Sequence, residues 1–278
     1  MKKECHLTRK RDIIHYMNNT TFKKQQPIII GLAGKAGSGK TSVAEAIVPK
    51  AGFESLRYGM KWDHIFYALP LYEMASSKKN IQGSNSESRK KYALHDILYG
   101  IYGRSSIGII PDYDLLIEKV NQIYNLGIEE EGVKPRSFLQ KAGDICRDGY
   151  QDCFCHWAIH KTTNLYRKYI SLLDEDAEEN PFCVIISDVR YENEAKSILK
   201  MPNGIVIYYS ATEETLNNRL LKRDGRLSTT EQSSHSSELF LDKVKDIASF
   251  VIETDNMDIE EQTQATLNLL GLQEKNNA

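Results

Sequence analysis

Apolar positions along the chain follow two alternating rhythms. Short unbroken apolar runs occur at Ile28–Ala33, Phe182–Ser187, Ile205–Tyr209 and Ser249–Ile252. Runs of that length, without polar alternation, predict strands buried on both faces, as in a parallel sheet. Longer stretches with apolar residues every three or four positions separate them. They predict helices after Lys40, over 92–102, Asp112–Leu126, Pro135–Arg147 and Asp152–Leu173, from near Glu192, and over Asp258–Leu270. Over Pro135–Arg147, for example, Phe138, Leu139, Ala142, Ile145 and Cys146 share one face. Pro49, Gly127 and Gly149 supply stops. Ser210 or Thr212 caps a further helix, with Glu213 and Glu214 in its first turn. A short strand is predicted at Ser55–Tyr58 and a helix over Trp62–Leu69. Residues 76–91 lack a core pattern and read as a mobile surface loop, and 174–181 as an acidic turn. Strands alternating with helices predict one three-layer α/β/α domain over 27–278, with a parallel central sheet.

The first strand runs directly into Gly34-Lys35-Ala36-Gly37-Ser38-Gly39-Lys40-Thr41, followed by the helix that starts near Ser42. Strand, glycine loop and helix in that order form the context of a phosphate-binding loop. Gly34, Gly37 and Gly39 let successive amides curl inward, with Ala36 and Ser38 between them, and the helix dipole adds positive field. Lys40 is placed to reach the β- and γ-phosphates of a nucleoside triphosphate. Thr41, or Ser42 beside it, is the candidate Mg²⁺ hydroxyl.

Composition narrows the partners. The 278 residues carry a net charge of −2 with 27% charged side chains, so no global basic excess argues for nucleic acid. No apolar run approaches the ~20 residues of a membrane span, and the N-terminus lacks the apolar core of a signal peptide. Five cysteines do not form a disulfide framework, and a reducing cytoplasm is the expected setting. Cys146, Cys153, Cys155 and His156 lack a second pair at zinc-finger spacing and read as buried thiols. Residues 1–26 are basic and polar and read as a solvated arm. Glu4 and Asp12 count against a mitochondrial presequence, and a nucleic-acid-binding arm is the third reading.

Ligands of open parallel sheets bind at the carboxyl ends of the strands, which puts Asp188-Val189-Arg190 on the same rim as the glycine loop. Asp188 there is either a ligand-facing acid or a helix cap. Arg219, Arg223 and Arg226 form a second basic cluster. They gather either around a phosphoryl group in flight or on an exposed helix face.

The chain resembles the phage-type deoxynucleoside monophosphate kinases, which belong to the P-loop nucleoside monophosphate kinase superfamily. The likeness spans Ile28 to about Leu270. It rests on the glycine loop, Met60-Lys61, Arg136-Ser137-Phe138-Leu139-Gln140 ahead of Gly143, Trp157, and His235-Ser236-Ser237-Glu238. Its most specific piece is Ile186-Ser187-Asp188-Val189-Arg190-Tyr191-Glu192-Asn193-Glu194-Ala195. The resemblance implies transfer of the ATP γ-phosphate, with Mg²⁺, to a (deoxy)nucleoside 5′-monophosphate. It implies a P-loop NTPase fold with a monophosphate-binding helical region at about 59–173 and a lid at about 212–240. Lys61, Arg136, Gly143, Trp157, Asp188, Arg190 and Glu194 would line the monophosphate site. Arg136 and Arg190 would grip phosphate, Trp157 would stack on the base, and Asp188 and Glu194 would read hydroxyls and amines. Arg219, Arg223 and Arg226 would sit in the lid. Alternatives are a P-loop kinase of another small acceptor, such as dephospho-coenzyme A, and a P-loop ATPase module acting on DNA or a protein partner. Thr41 directly after Lys40, and Gly143-Asp144 where Gly-Thr is common, depart from the family pattern.

Overall fold

The computed structural model describes residues 26–48, 56–57, 60–102, 112–128, 135–173, 180–224 and 240–272. Six strands form one sheet in the order β2-β3-β4-β1-β5-β6. These are β1 (Ile28–Ala33), β2 (Leu56–Arg57), β3 (Met60–Ile65), β4 (Phe182–Val189), β5 (Gly204–Ser210) and β6 (Phe250–Glu253). All pairings are parallel except that of β2, a short antiparallel edge on β3. The predicted three-layer α/β/α architecture is therefore present. Central β1 shows why its run is apolar throughout. Ile28, Ile30 and Leu32 enter the core on one face, and Ile29 and Ala33 enter the core on the other.

One face is covered by α1 (Lys40–Ile47) and α10 (Ile259–Leu269), which pack on each other. The other carries α6 (Cys153–Ser171), α7 (Glu192–Leu199) and α9 (Leu241–Ile247). Helices α2 (Leu69–Asn80), α3 (Ser86–Tyr102), α4 (Tyr113–Asn125) and α5 (Arg136–Gly149) extend that core outward, and α8 (Glu213–Asp224) follows β5. Thus α2 to α6 all lie between the paired strands β3 and β4, in a single crossover.

Two local expectations are corrected. The helix predicted over Trp62–Leu69 is strand β3. Met60 and Trp62 join the core on one face and Ile65 joins it on the other, and pairing with β4 overrides the weak helical pattern. The loop predicted at 76–91 is mostly helix. α2 runs to Asn80 and α3 starts at Ser86, with Gly83 and Asn85 at positive φ turning the chain between them. These helix ends are polar because they face solvent, and the Lys91–Glu87 pair at 2.9 Å supports the exposed first turn of α3. The helix after Asp112 behaves as read: Asp112 caps it by accepting from the Asp114 and Leu115 amides. Of the two caps offered for α8, Thr212 serves, its Oγ1 accepting from the Thr215 amide at 3.4 Å. Among the described residues, no helix is long and apolar enough to cross a membrane. The arm (all but Gln26), Arg226, His235 and Glu238 lie outside the described residues.

The chain fills one side of β1 first, with β3 and β4, and then the other, with β5 and β6. The reversal leaves a crevice at the carboxyl end of β1, where the glycine loop begins.

Candidate functional site

A cavity of about 920 Å³ opens over this rim. Its floor at one end is the loop between β1 and α1. Gly34, at φ 142, passes so close to β5 that a Cβ there would stand 2.5 Å from the Tyr209 carbonyl oxygen. Gly39, at φ 95, is the N-cap of α1 and makes no side-chain cap bond, so the first turn of the helix looks into the cavity. Ala36, Gly37, Gly39, Lys40, Thr41 and Ser42 all line it. Lys40 is 6% exposed, and its Nζ donates to the Lys35 carbonyl at 3.2 Å, which aims the ammonium along the loop. Ser38 Oγ is buried with no hydrogen-bond partner among the described residues. A glycine cradle, an orphaned hydroxyl and a buried cation together fit an anion with several oxygens.

Gly34→Ala should therefore lower the melting temperature. The conformation alone costs about 1–3 kcal/mol, and the main-chain contact cannot move aside as a side chain would. Unaltered thermal unfolding in that variant would show that the loop relaxes freely.

The other end of the cavity is built by β3, β4 and the crossover helices. Asp188 Oδ1 accepts from the Tyr67 amide at 2.7 Å and Oδ2 from the Ala68 amide at 2.9 Å, tying the entry of α2 to β4. Burial raises its pKa, opposed by those two bonds and by the charges of Arg190 and Lys40. Asp188 itself lines the cavity. His64 Nε2 pairs with Ser187 Oγ at 2.7 Å, and burial lowers the His64 pKa, which favours the neutral ring. Phe66 and Tyr72 meet edge to face at 5.8 Å on the cavity wall. Arg136, Gln140, Arg190 and Arg223 also line it.

Glu194, 2% exposed, organises the turn after β4. Its Oε2 accepts from the Arg190 and Tyr191 amides at 2.9 and 3.1 Å, and its Oε1 meets Arg147 Nη2 at 3.1 Å. Burial raises its pKa, and Arg147 opposes the rise. The Arg147 guanidinium lies 4.0 Å from the Tyr191 ring and 4.7 Å from the Phe154 ring. Asp188 and Glu194 both line the cavity, but Asp188 accepts from main-chain amides and Glu194 from main-chain amides and Arg147, so they are scaffold first.

Arg136 and Arg190, and Arg223 from the separate basic cluster, all line this one cavity. Four other expectations are corrected. Trp157 lies outside this cavity and lines a second one against α2 and α3, because the indole face of α6 turns away from the rim. Lys61 pairs with Phe182, the first residue of β4, which puts it at the amino end of the sheet, opposite the rim. Gly143 lets α5 pack closely: a Cβ would stand 3.0 Å from Arg147 Nη1 and 3.4 Å from Leu71 Cδ1. Arg219 donates to Thr254 Oγ1 (3.2 Å), Thr254 O (2.5 Å) and Met257 O (2.9 Å), fastening α8 to the turn after β6 instead of serving phosphate. Residues the sequence reading left unassigned include His64, Phe66, Tyr72 and Arg147. Phe66 lies within the stretch read as helix, and Arg147 only ends the helix predicted over Pro135–Arg147.

No three His, Cys, Asp or Glu side chains converge as a metal cage among the described residues. The hydroxyls of Thr41 and Ser42 beside Lys40 suit instead a magnesium ion held mostly by phosphate oxygens and water.

No family model matches the chain, nor does any curated protein. Among solved structures it is similar to TT1252 from Thermus thermophilus, at 18% identity and a TM-score of 0.39, over 88% of this chain and 98% of that one. So distant a likeness has no bearing on function.

Proposed function

We propose that the protein transfers the γ-phosphate of ATP to a (deoxy)nucleoside 5′-monophosphate. The observation that carries this reading is a single cavity with a glycine cradle and Lys40 at one end and Arg136 and Arg190 at the other. A volume of about 920 Å³ lies at the upper end of ordinary ligand pockets, which suits two substrates in line. A cavity with a second anion grip favours a small acceptor over an ATPase that works on DNA or a protein.

In this mechanism the chain's residues position and spread charge. The loop amides and Lys40 hold the β- and γ-phosphates, and Thr41 or Ser42 holds Mg²⁺ beside them. The ion, when bound, neutralises charge shared between those phosphates. Arg136 and Arg190 orient the acceptor phosphate, whose oxygen is already anionic at neutral pH and needs no general base. Arg223 reaches the same space from α8 and offsets charge on the transferring group. With Trp157 elsewhere, Phe66 and Tyr72 form the aromatic wall for the base, and Gln140 offers an amide to its edge.

ADP release from Mg-ATP, measured with each deoxynucleoside and nucleoside monophosphate, tests the proposal. At least one acceptor should stimulate release strongly, and equal release with and without every acceptor would defeat it. Arg190→Ala should lose about 2–5 kcal/mol in kcat/KM for the acceptor while ATP affinity holds. Unchanged acceptor kinetics would remove Arg190 from the site.

A further inference from the structure

The second cavity holds about 530 Å³ between α2, α3 and α6. Helix α2 is the partition between the two. Ala68, Leu71 and Tyr72 face the first cavity, and Leu69, Pro70 and Glu73 face the second. From α6, Trp157, Lys161 and Lys168 line it, spaced so that they share one helix face. Across from them, Glu73 comes from α2 and Asp96 from α3. The lining therefore offers an indole, two ammonium groups on one wall and two carboxylates on the other.

We propose that this cavity is a second, regulatory site for a nucleotide whose base carries an exocyclic amine. The base stacks on the Trp157 indole, a sequence-tolerant contact for any planar heterocycle. Its amine donates to the Glu73 or Asp96 carboxylate, and the phosphate meets Lys161 and Lys168. Mixed wall charges disfavour a bare anion and a bare cation alike, whereas a nucleotide offers both partners. Occupancy bears on the first cavity through the entry of α2. Asp188 holds the amides of Tyr67 and Ala68, so a ligand pressing on Pro70 and Glu73 acts on the same turn that presents Tyr72 to the substrate space. Such coupling is reciprocal: substrate in the first cavity changes affinity in the second. The assignment stands on the second cavity and does not require phosphoryl transfer in the first.

Tryptophan fluorescence gives the test, because the chain has 2 tryptophans and the other, Trp62, is only 4% exposed in the core. dAMP and dTMP are titrated without ATP or Mg²⁺ into the wild type, Trp157→Phe, Arg190→Ala and a Lys161→Ala/Lys168→Ala double variant. Both lysines are exposed, so the double variant keeps its fold. Expected is a saturable quench by dAMP in the wild type and in Arg190→Ala, and none in Trp157→Phe. The lysine variant should need roughly tenfold more dAMP, and the wild type roughly tenfold more dTMP, which lacks the amine. Absence of a saturable quench overturns the site. So does a quench that vanishes in Arg190→Ala and persists in the lysine variant, which locates the nucleotide in the first cavity. Equal affinity for dAMP and dTMP overturns the amine recognition. Failure of acceptor-dependent ADP release leaves this titration intact, so the two proposals fail separately.

Discussion

Lys40→Ala should abolish acceptor-dependent ADP release and leave the melting temperature at or above that of the wild type. The loss follows from position. Lys40 is the first residue of α1, 6% exposed, with its ammonium drawn along the glycine loop by the Lys35 carbonyl. A preorganised donor in such a site contributes about 10²–10³ in kcat when neutral, and a full positive charge at the transferring phosphoryl group contributes at least that much. The stability side runs the other way. Removing a desolvated ammonium relieves a buried charge, and alanine is the best helix former for the first turn of α1. A variant that is inactive but no less stable is the signature of a residue kept for function at some cost to the fold. Stopped-assay ADP release and a thermal melt on the same preparation check both halves. Retained turnover would remove the triphosphate from this loop altogether.

Half of that site was legible without a structure because its parts are neighbours in the chain. Strand, glycines and helix follow one another over Ile28–Ile47, and local rules suffice to place Lys40 and Thr41. The other half of the cavity is assembled by long-range packing, and its residues divide into those that local rules place and those they do not. Arg190 follows a strand at the rim, a position that topology alone aims at the crevice, whereas Arg136, at the start of α5, was named by the resemblance. Trp157 and Lys61 depend on which way an element is rolled. α6 has apolar residues around much of its circumference, so nothing in its spacing says that the indole faces α2. Lys61 was assigned by the resemblance alone, and parallel pairing with Phe182 carries it to the far end of the sheet. Arg219 is held by two carbonyls and a hydroxyl more than thirty positions away, contacts with no trace in its own helix. Phe66 and Tyr72 occupy the aromatic wall that Trp157 was expected to provide.

Arg147→Ala should destabilise the fold by about 3–5 kcal/mol at neutral pH, the usual cost of stranding a buried charge by removing its partner. The stranded group is Glu194, 2% exposed. Arg147 is the largest influence holding its pKa down against burial. The pH dependence has a definite sign. A carboxyl whose folded pKa lies above its unfolded value makes the folded state the better proton binder. Stability is then fully favourable at pH below the unfolded value and falls as pH rises through the folded one. Removing Arg147 pushes the folded pKa of Glu194 further up, so the deficit should shrink as the solution is acidified and Glu194 takes a proton. Glu194→Gln in the same chain should recover much of the loss. The amide keeps a carbonyl oxygen for the Arg190 and Tyr191 N–H groups and carries no charge. Urea unfolding of the two single variants and the double variant closes the cycle. Strictly additive losses would mean that Arg147 stabilises through its stacking on Tyr191 and Phe154 alone, and that the ion pair beneath the Arg190 turn is incidental.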